Sequence, residues 1–168
     1  MNDTMNDNRI YLFDTTLRDG AQTQGVDFNP ADKALIAREL NDVGIDYIEG
    51  GWPGANPTDD AFFAAPPPMT RSKLTAFGMT RRPGRSADND PGLTAILGTK
   101  ADCVCMVGKA WDFHVDVALE IDLEENIQMV ADSVKHAATK VSEVMFDAEH
   151  FFDGYKANPE FALGCLKA

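Results

Sequence analysis

A chain of 168 residues with 44% hydrophobic and 25% charged side chains has the size and make-up of one ordinary globular domain. Its net charge of −12 argues against nucleic acid or an anionic membrane surface as partner, since both demand concentrated lysine and arginine. No apolar run reaches the ~18–20 residues that cross a bilayer, and three cysteines without a secretory pattern fit a reducing cytoplasm better than a disulfide framework.

Taken in chain order, the polar stretch 1–8 reads as a disordered leader. A strand is predicted over 10–14, and a helix over 30–43. Asn29 is its cap, Pro30 sits in its first turn, Leu35, Ile36, Leu40 and Val43 form its apolar stripe, and Gly44 stops it. A second strand over 46–49 runs into Gly50 and Gly51, and a short helix over 58–65 ends at three prolines. A strand over 73–78, a polar loop and a helix over 91–98 follow. The next strand, 101–107, places Cys103 and Cys105 on one face as core thiols, since no second Cys/His pair suggests zinc. After a loop over 108–116 comes the longest helix, 122–138, with Leu123, Ile127, Val130, Val134 and Ala137 on one side. A strand over 141–147, a loop and a helix from Pro159 end the chain. Short strands alternating with helices predict about five βα units of a parallel sheet in one α/β domain.

The chemistry concentrates where the first strand ends, at Asp14, Thr15, Thr16, Arg18 and Asp19. Parallel sheets bind ligands at that edge. There Asp19 offers a hard oxygen to a divalent cation, and Arg18 a guanidinium to a carboxylate or developing enolate. The alternative is a solvated loop closed by an Arg–Asp pair, and the residue chemistry leaves both open. Asp14 is placed to orient Arg18 through a charge-assisted pair. Glu49 closes the second strand before two glycines, which allow close approach of a ligand or backbone. A salt bridge from Glu49 to Arg18 is compatible with either reading. Arg81, Arg82 and Arg85 form the one basic knot, read as a solvated loop or as a contact for the phosphates of coenzyme A.

Residues 14–22, DTTLRDGAQ, resemble the signature of the acyl-transferring Claisen enzymes. These are the 2-isopropylmalate, homocitrate and citramalate synthases, with 3-hydroxy-3-methylglutaryl-CoA lyase as a relative. YIEGGWPGANP (47–57), TAFGMTRRPG (75–84), GKAWDFHV (108–115) and DAEHFFDGYKANPEFAL (147–163) extend the resemblance over 9–168 and bring it closest to the citramalate synthase branch. The resemblance implies the N-terminal portion of a catalytic TIM (β/α)8 barrel, incomplete here because a closed barrel has eight strands and typically ~250 residues.

It also implies roles. Asp19 matches the acidic metal ligand (Mg²⁺ or Mn²⁺ by hardness, with Zn²⁺ open). Arg18 matches the arginine facing keto acid and enolate, and Gln22 a substrate hydrogen-bonding residue. Ala21 stands where the commoner spelling has Glu. Glu49 and Glu149 match catalytic glutamates, with Glu149 and the nearby Asp147 expected to point into the barrel mouth on the acetyl side. His114 and Thr80 are expected substrate contacts, with Arg81 and Tyr155 as further loop candidates. His150 reads as a surface or supporting residue and His136 as solvated. The implied reaction condenses acetyl-CoA with a small α-keto acid, pyruvate foremost, to citramalate and CoA, a step of isoleucine and leucine biosynthesis. 2-Isopropylmalate or homocitrate specificity is the alternative. The family's metal-binding His-x-His pair has no counterpart among His114, His136 and His150, so the second reading is a half-barrel that is not catalytic alone. An open parallel sheet exposes an edge, so a homo-oligomer is expected.

Overall fold

The structure, a computed structural model, describes residues 9–168, and the expected leader over 1–8 lies outside them. Five parallel strands form one sheet in sequence order: β1 (Phe13–Asp14), β2 (Tyr47–Gly51), β3 (Lys73–Met79), β4 (Cys103–Lys109) and β5 (Glu143–Glu149). Between and after them run α1 (Pro30–Val43), α2 (Pro57–Ala64), α3 (Pro91–Leu97), α4 (Asp112–His114), α5 (Leu123–Ala137), α6 (Phe151–Ala157) and α7 (Pro159–Lys167). Single 3-10 turns occupy Gly20–Gln22 and Ala87–Asn89, and a π turn over Val115–Leu119 continues α4.

Strand alternation divides the sheet into two faces. Ile48, Leu74, Ala76, Val104 and Met106 face one way and pack with Ala37 of α1, Phe62 and Phe63 of α2, Leu93 and Ile96 of α3 and Ala137 of α5. The opposite, inner face carries Tyr47, Glu49, Lys73, Thr75, Phe77, Cys103, Cys105, Asp147 and Glu149. This is a curled segment of a TIM-type barrel, with helices outside and chemistry inside. A second core of Ala110, Val115, Phe161 and Cys165 seats α7 under α5 and β5.

Several boundaries depart from the sequence expectations. Ile10, Tyr11 and Leu12 are exposed, and only Phe13 and Asp14 pair with β2. β4 and β5 each run two residues further than expected, because parallel pairing between them continues through Lys109↔Glu149. The expected loops after β4 and β5 fold into α4 with its π turn and into α6. The apolar stripe of α1 is also displaced: Leu35 and Val43 are exposed, while Lys33, Ala37 and Asn41 are buried. Asn41 explains part of that shift, because its Oδ1 accepts the backbone N–H groups of Thr70, Arg71 and Ser72 at 2.9, 3.0 and 3.2 Å.

Candidate active site

The C-terminal ends of the five strands bring the candidate residues to one rim. Arg18 follows β1, Glu49 sits near the end of β2, Thr80 follows β3, Lys109 ends β4 and Glu149 ends β5. At the centre, Arg18 Nε donates to Glu49 Oε2 at 2.7 Å, and Glu49 is 1% exposed. The guanidinium carbon lies 3.9 Å from the centroid of the Phe77 ring, a cation–π contact. Trp52 meets the Phe77 ring edge-on, with ring centroids 5.4 Å apart. Arg18 Nη1 donates to Asp19 Oδ1 at 3.2 Å. Burial pushes the Glu49 carboxyl above its usual range, the Arg18 hydrogen bond pulls it down, and the Asp147 and Asp19 carboxylates add to the upward push. The net direction is upward, so this is a buried carboxyl held beside a permanent cation.

Gln22 is exposed on the 3-10 turn and lines, with Arg18, a cavity of about 440 Å³ that opens beside Ala21, Val26, Trp52 and Asn56. Asp19 is exposed and Asp147 points from β5 toward the open inner face. On the same face Cys105 of β4 is buried, its thiol pushed up to about 12 by burial first and then by Glu49 and Asp147. It is a protonated wall of the site rather than a nucleophile.

Other candidates go elsewhere. Asp14 does not orient Arg18: it accepts from Thr16 N at 2.9 Å and Thr16 Oγ1 at 3.2 Å, a local turn that its own backbone spacing favours. Glu49 does that task from 31 residues away. Thr80 is buried and lines a separate, smaller cavity of about 110 Å³ with Met79, Arg81 and Lys109. Arg81 does not sit in a solvated loop. It is 5% exposed and bonds Asp132 and Glu125 of α5 at 3.0 and 2.8 Å, while Arg82 and Arg85 remain exposed. His114 packs against Trp111 at 4.7 Å and His150 at 4.8 Å between ring centroids. Its Nδ1 is buried without a partner. Tyr155 is exposed on α6.

Glu149 pairs with Lys109 Nζ across β4 and β5. Sequence reasoning missed Lys109 because it placed the end of the strand two residues early. It also missed Phe77, whose aromatic character in an apolar strand gave no sign that a cation would cover it.

Among the described residues, no three His, Cys, Asp or Glu side chains come together as a metal-ligand set. Asp19 is a single exposed carboxylate already shared with Arg18, so these residues do not by themselves fit a divalent ion. Among them, too, no helix is long and apolar enough to cross a membrane.

A parallel barrel segment with a paired Arg–Glu at its C-terminal rim places the chain in a defined class: residues 9–168 match the HMGL-like family, and the chain belongs to it. Within that class it is 51% identical to the (R)-citramalate synthase of Aquifex aeolicus over 162 residues, 95% of this chain and 31% of that enzyme. It is 33% identical to the 2-isopropylmalate synthase of Solidesulfovibrio magneticus over 161 residues, 96% of this chain and 30% of that protein. The chain therefore spans about 31% of the length of such curated relatives. The solved hydroxymethylglutaryl-CoA lyase of Pseudomonas aeruginosa superposes with a TM-score of 0.64 at 19% identity, over 82% of this chain and 45% of that one, a likeness of fold.

Proposed function

We propose that this chain carries the keto-acid and enolate-stabilising part of an acyltransferase site that joins acetyl-CoA to pyruvate, giving citramalate and CoA. The observation that carries the reading is Arg18, fixed at the strand-end rim by buried Glu49 and Phe77 beside an open cavity. The identity to (R)-citramalate synthases over 95% of the chain supports the keto acid, and the lower identity to 2-isopropylmalate synthases ranks that specificity second.

In this reading a carboxylate on the acetyl side, Glu149 steadied by Lys109, accepts a proton from the acetyl methyl group. The resulting enolate carbon bonds to the keto carbon of pyruvate. The keto oxygen becomes an alkoxide and takes up a proton, and hydrolysis of the thioester releases CoA. Arg18 holds the substrate carboxylate and the growing negative charge, a fixed cation in a partly dry site. Gln22 donates to the keto acid from the same cavity, and Asp147, His114 and Thr80 bound the substrate space. Asp19 alone does not make a site for a divalent ion, and no step here depends on one. The exposed Ile10–Phe13 edge supports a homo-oligomer, and three buried thiols support a reducing, cytoplasmic setting.

The second reading, a half-barrel that is not catalytic alone and here binds pyruvate without turning it over, is favoured by the missing metal-ligand set among the described residues. CoA release with acetyl-CoA, pyruvate and Mn²⁺ or Mg²⁺, run beside calorimetric pyruvate binding, separates the two. Turnover that falls about 10²–10³-fold in Arg18→Ala supports the enzyme. Binding without turnover supports the second reading, and neither binding nor turnover from folded protein overturns both.

A further inference from the structure

Two residues that the proposed reaction does not use form the most buried ion pair in the described structure. Lys33, on α1, and Asp59, on α2, pair with side chains only 4% and 8% exposed. Each also grips the backbone just beyond Glu49. Lys33 Nζ donates to the Gly50 carbonyl at 3.1 Å. Asp59 Oδ2 accepts the Trp52 N–H at 2.7 Å and the Asn56 side-chain amide at 2.9 Å.

The segment held in this way is irregular. The register between β2 and β3 shifts between Glu49 and Gly51, a bulge in the strand. Gly51 adopts φ +146, and a Cβ there would lie 2.5 Å from Asp59 Cγ. Only glycine lets the carboxylate sit this close to the chain. A bulge re-aims the side chains next to it, and the side chain next to this one is Glu49. Burying two charges costs free energy that their attraction repays only when the geometry is good and the remaining hydrogen-bonding positions are filled. Here the filling groups are the Gly50 carbonyl, the Trp52 N–H and the Asn56 side-chain amide.

We propose that Lys33 and Asp59 are positioning residues: their buried pair locks the Gly50–Gly51 bulge and so aims Glu49 at Arg18. The pair links α1 and α2 to the strand end, and both of its members line the cavity that Arg18 and Gln22 share. Its functional weight rests on the reading of Arg18 and Glu49 given above. The positioning itself is a property of the fold, measurable without turnover.

The readout is the Arg18 Nε–H, assigned by its loss in Arg18→Lys, in proton–nitrogen NMR of the folded chain. Its hydrogen exchange reports how persistently Glu49 holds it. Lys33→Met removes the ammonium but leaves Asp59 its Trp52 and Asn56 donors. In folded Lys33→Met, Arg18 Nε–H exchange about tenfold faster or more, with β4 amides still protected, supports the proposal. A purely structural pair would lower overall stability and leave this proton's protection in line with the β4 amides, and that result overturns it. Should Lys33→Met not fold, the wild-type chain decides. Protection of Arg18 Nε–H equal to that of the Trp52 amide, which reports opening of the Asp59 contact, supports the proposal. Protection about tenfold weaker than the Trp52 amide overturns it. Because neither arm measures CoA release, loss of the acyltransferase reading and loss of the positioning claim remain distinguishable.

Discussion

Glu49 and Arg18 meet at 2.7 Å across 31 residues of chain, with the carboxylate 1% exposed and the guanidinium stacked on Phe77. The pair does two things at once. It satisfies a carboxylate that burial alone would leave costly, and it fixes the plane of the guanidinium, whose Nη1 reaches Asp19. A strand-end glutamate and a loop arginine are thus one unit, and the arginine lowers the cost of ionising the glutamate.

That linkage has a sign. Glu49 in the folded chain titrates above its ordinary value of 4.5, with burial as the first cause and Arg18 as the opposing one. A carboxyl raised on folding contributes stability that is complete below the unfolded value and is lost as pH rises through the folded one. Arg18→Ala removes the opposing cation and moves the Glu49 titration further up. The stability deficit of Arg18→Ala against wild type should therefore widen as pH rises from about 5 to 8. Denaturant midpoints across that range, with Glu49→Gln as the non-titrating control, check it. A deficit that stays constant with pH would mean that Arg18 does not govern this carboxyl.

The thiols should be silent in the folded chain. Burial pushes Cys103 and Cys165 up to about 11 and Cys105 to about 12, from an ordinary 9.0. Two units lower the thiolate fraction about a hundredfold, before access is counted. Ellman's reagent at neutral pH should modify no thiol while the chain is folded and all three once it is unfolded. One fast thiol under native conditions would show that the inner face opens around Cys105 or that α7 lifts from Cys165.

Gly154 sets how closely α6 can approach the turn after β4. A Cβ at that position would lie 2.1 Å from the Ala110 carbonyl oxygen and 2.9 Å from Trp111 Cα, both backbone atoms that cannot swing away. Gly154→Ala should destabilise the chain by about 1–3 kcal/mol through overpacking. Thermal or denaturant unfolding measures the loss, and a variant as stable as wild type would place α6 further from the Ala110 carbonyl.

The βα order, the capped α1 and the amphipathic α5 were legible because their signals are local: Asn29 and Pro30 at a start, Gly44 at a stop, Leu123, Ile127, Val130 and Val134 at helical spacing. Arg18, Glu49 and Glu149 were legible from their strand-end positions and a family resemblance. What stayed hidden depends on contacts between distant segments. Asp14 looked like a further partner of Arg18 because it is near in sequence, yet it turns back to Thr16 and leaves Arg18 to Glu49, the salt bridge that the sequence had allowed. Arg81 looked like a loop cation, yet α5 brings Glu125 and Asp132 to it. Lys33 broke the expected apolar stripe of α1 because its partner, Asp59, lies on another helix. A residue whose burial depends on a partner elsewhere in the chain cannot be read from its own neighbours.

The inner face has a second polar cluster, at the opposite end of the strands, and it yields a pH signature of its own. Tyr47 donates its hydroxyl to Glu143 Oε1 at 2.7 Å, and Lys73 pairs with the same carboxylate. This joins β2, β3 and β5 across the thiol of Cys103. The hydrogen bonds from Lys73 and Tyr47 hold the Glu143 carboxyl below its ordinary 4.5, while Glu143 raises the Tyr47 phenol above 10.0. A carboxyl depressed on folding contributes stability that is present above its unfolded value and is lost as pH falls through the folded one. Acid should therefore loosen the wild-type sheet below about pH 4.5 in part through Glu143, and Glu143→Gln should lack that part. In the same variant, ultraviolet difference titration should show one tyrosine moving back toward 10.0. Both shifts together identify Glu143 as the hub of the cluster. If the tyrosine titration is unchanged, Tyr47 is not bonded to this carboxylate in solution, and β2 and β5 are joined only through the strands between them.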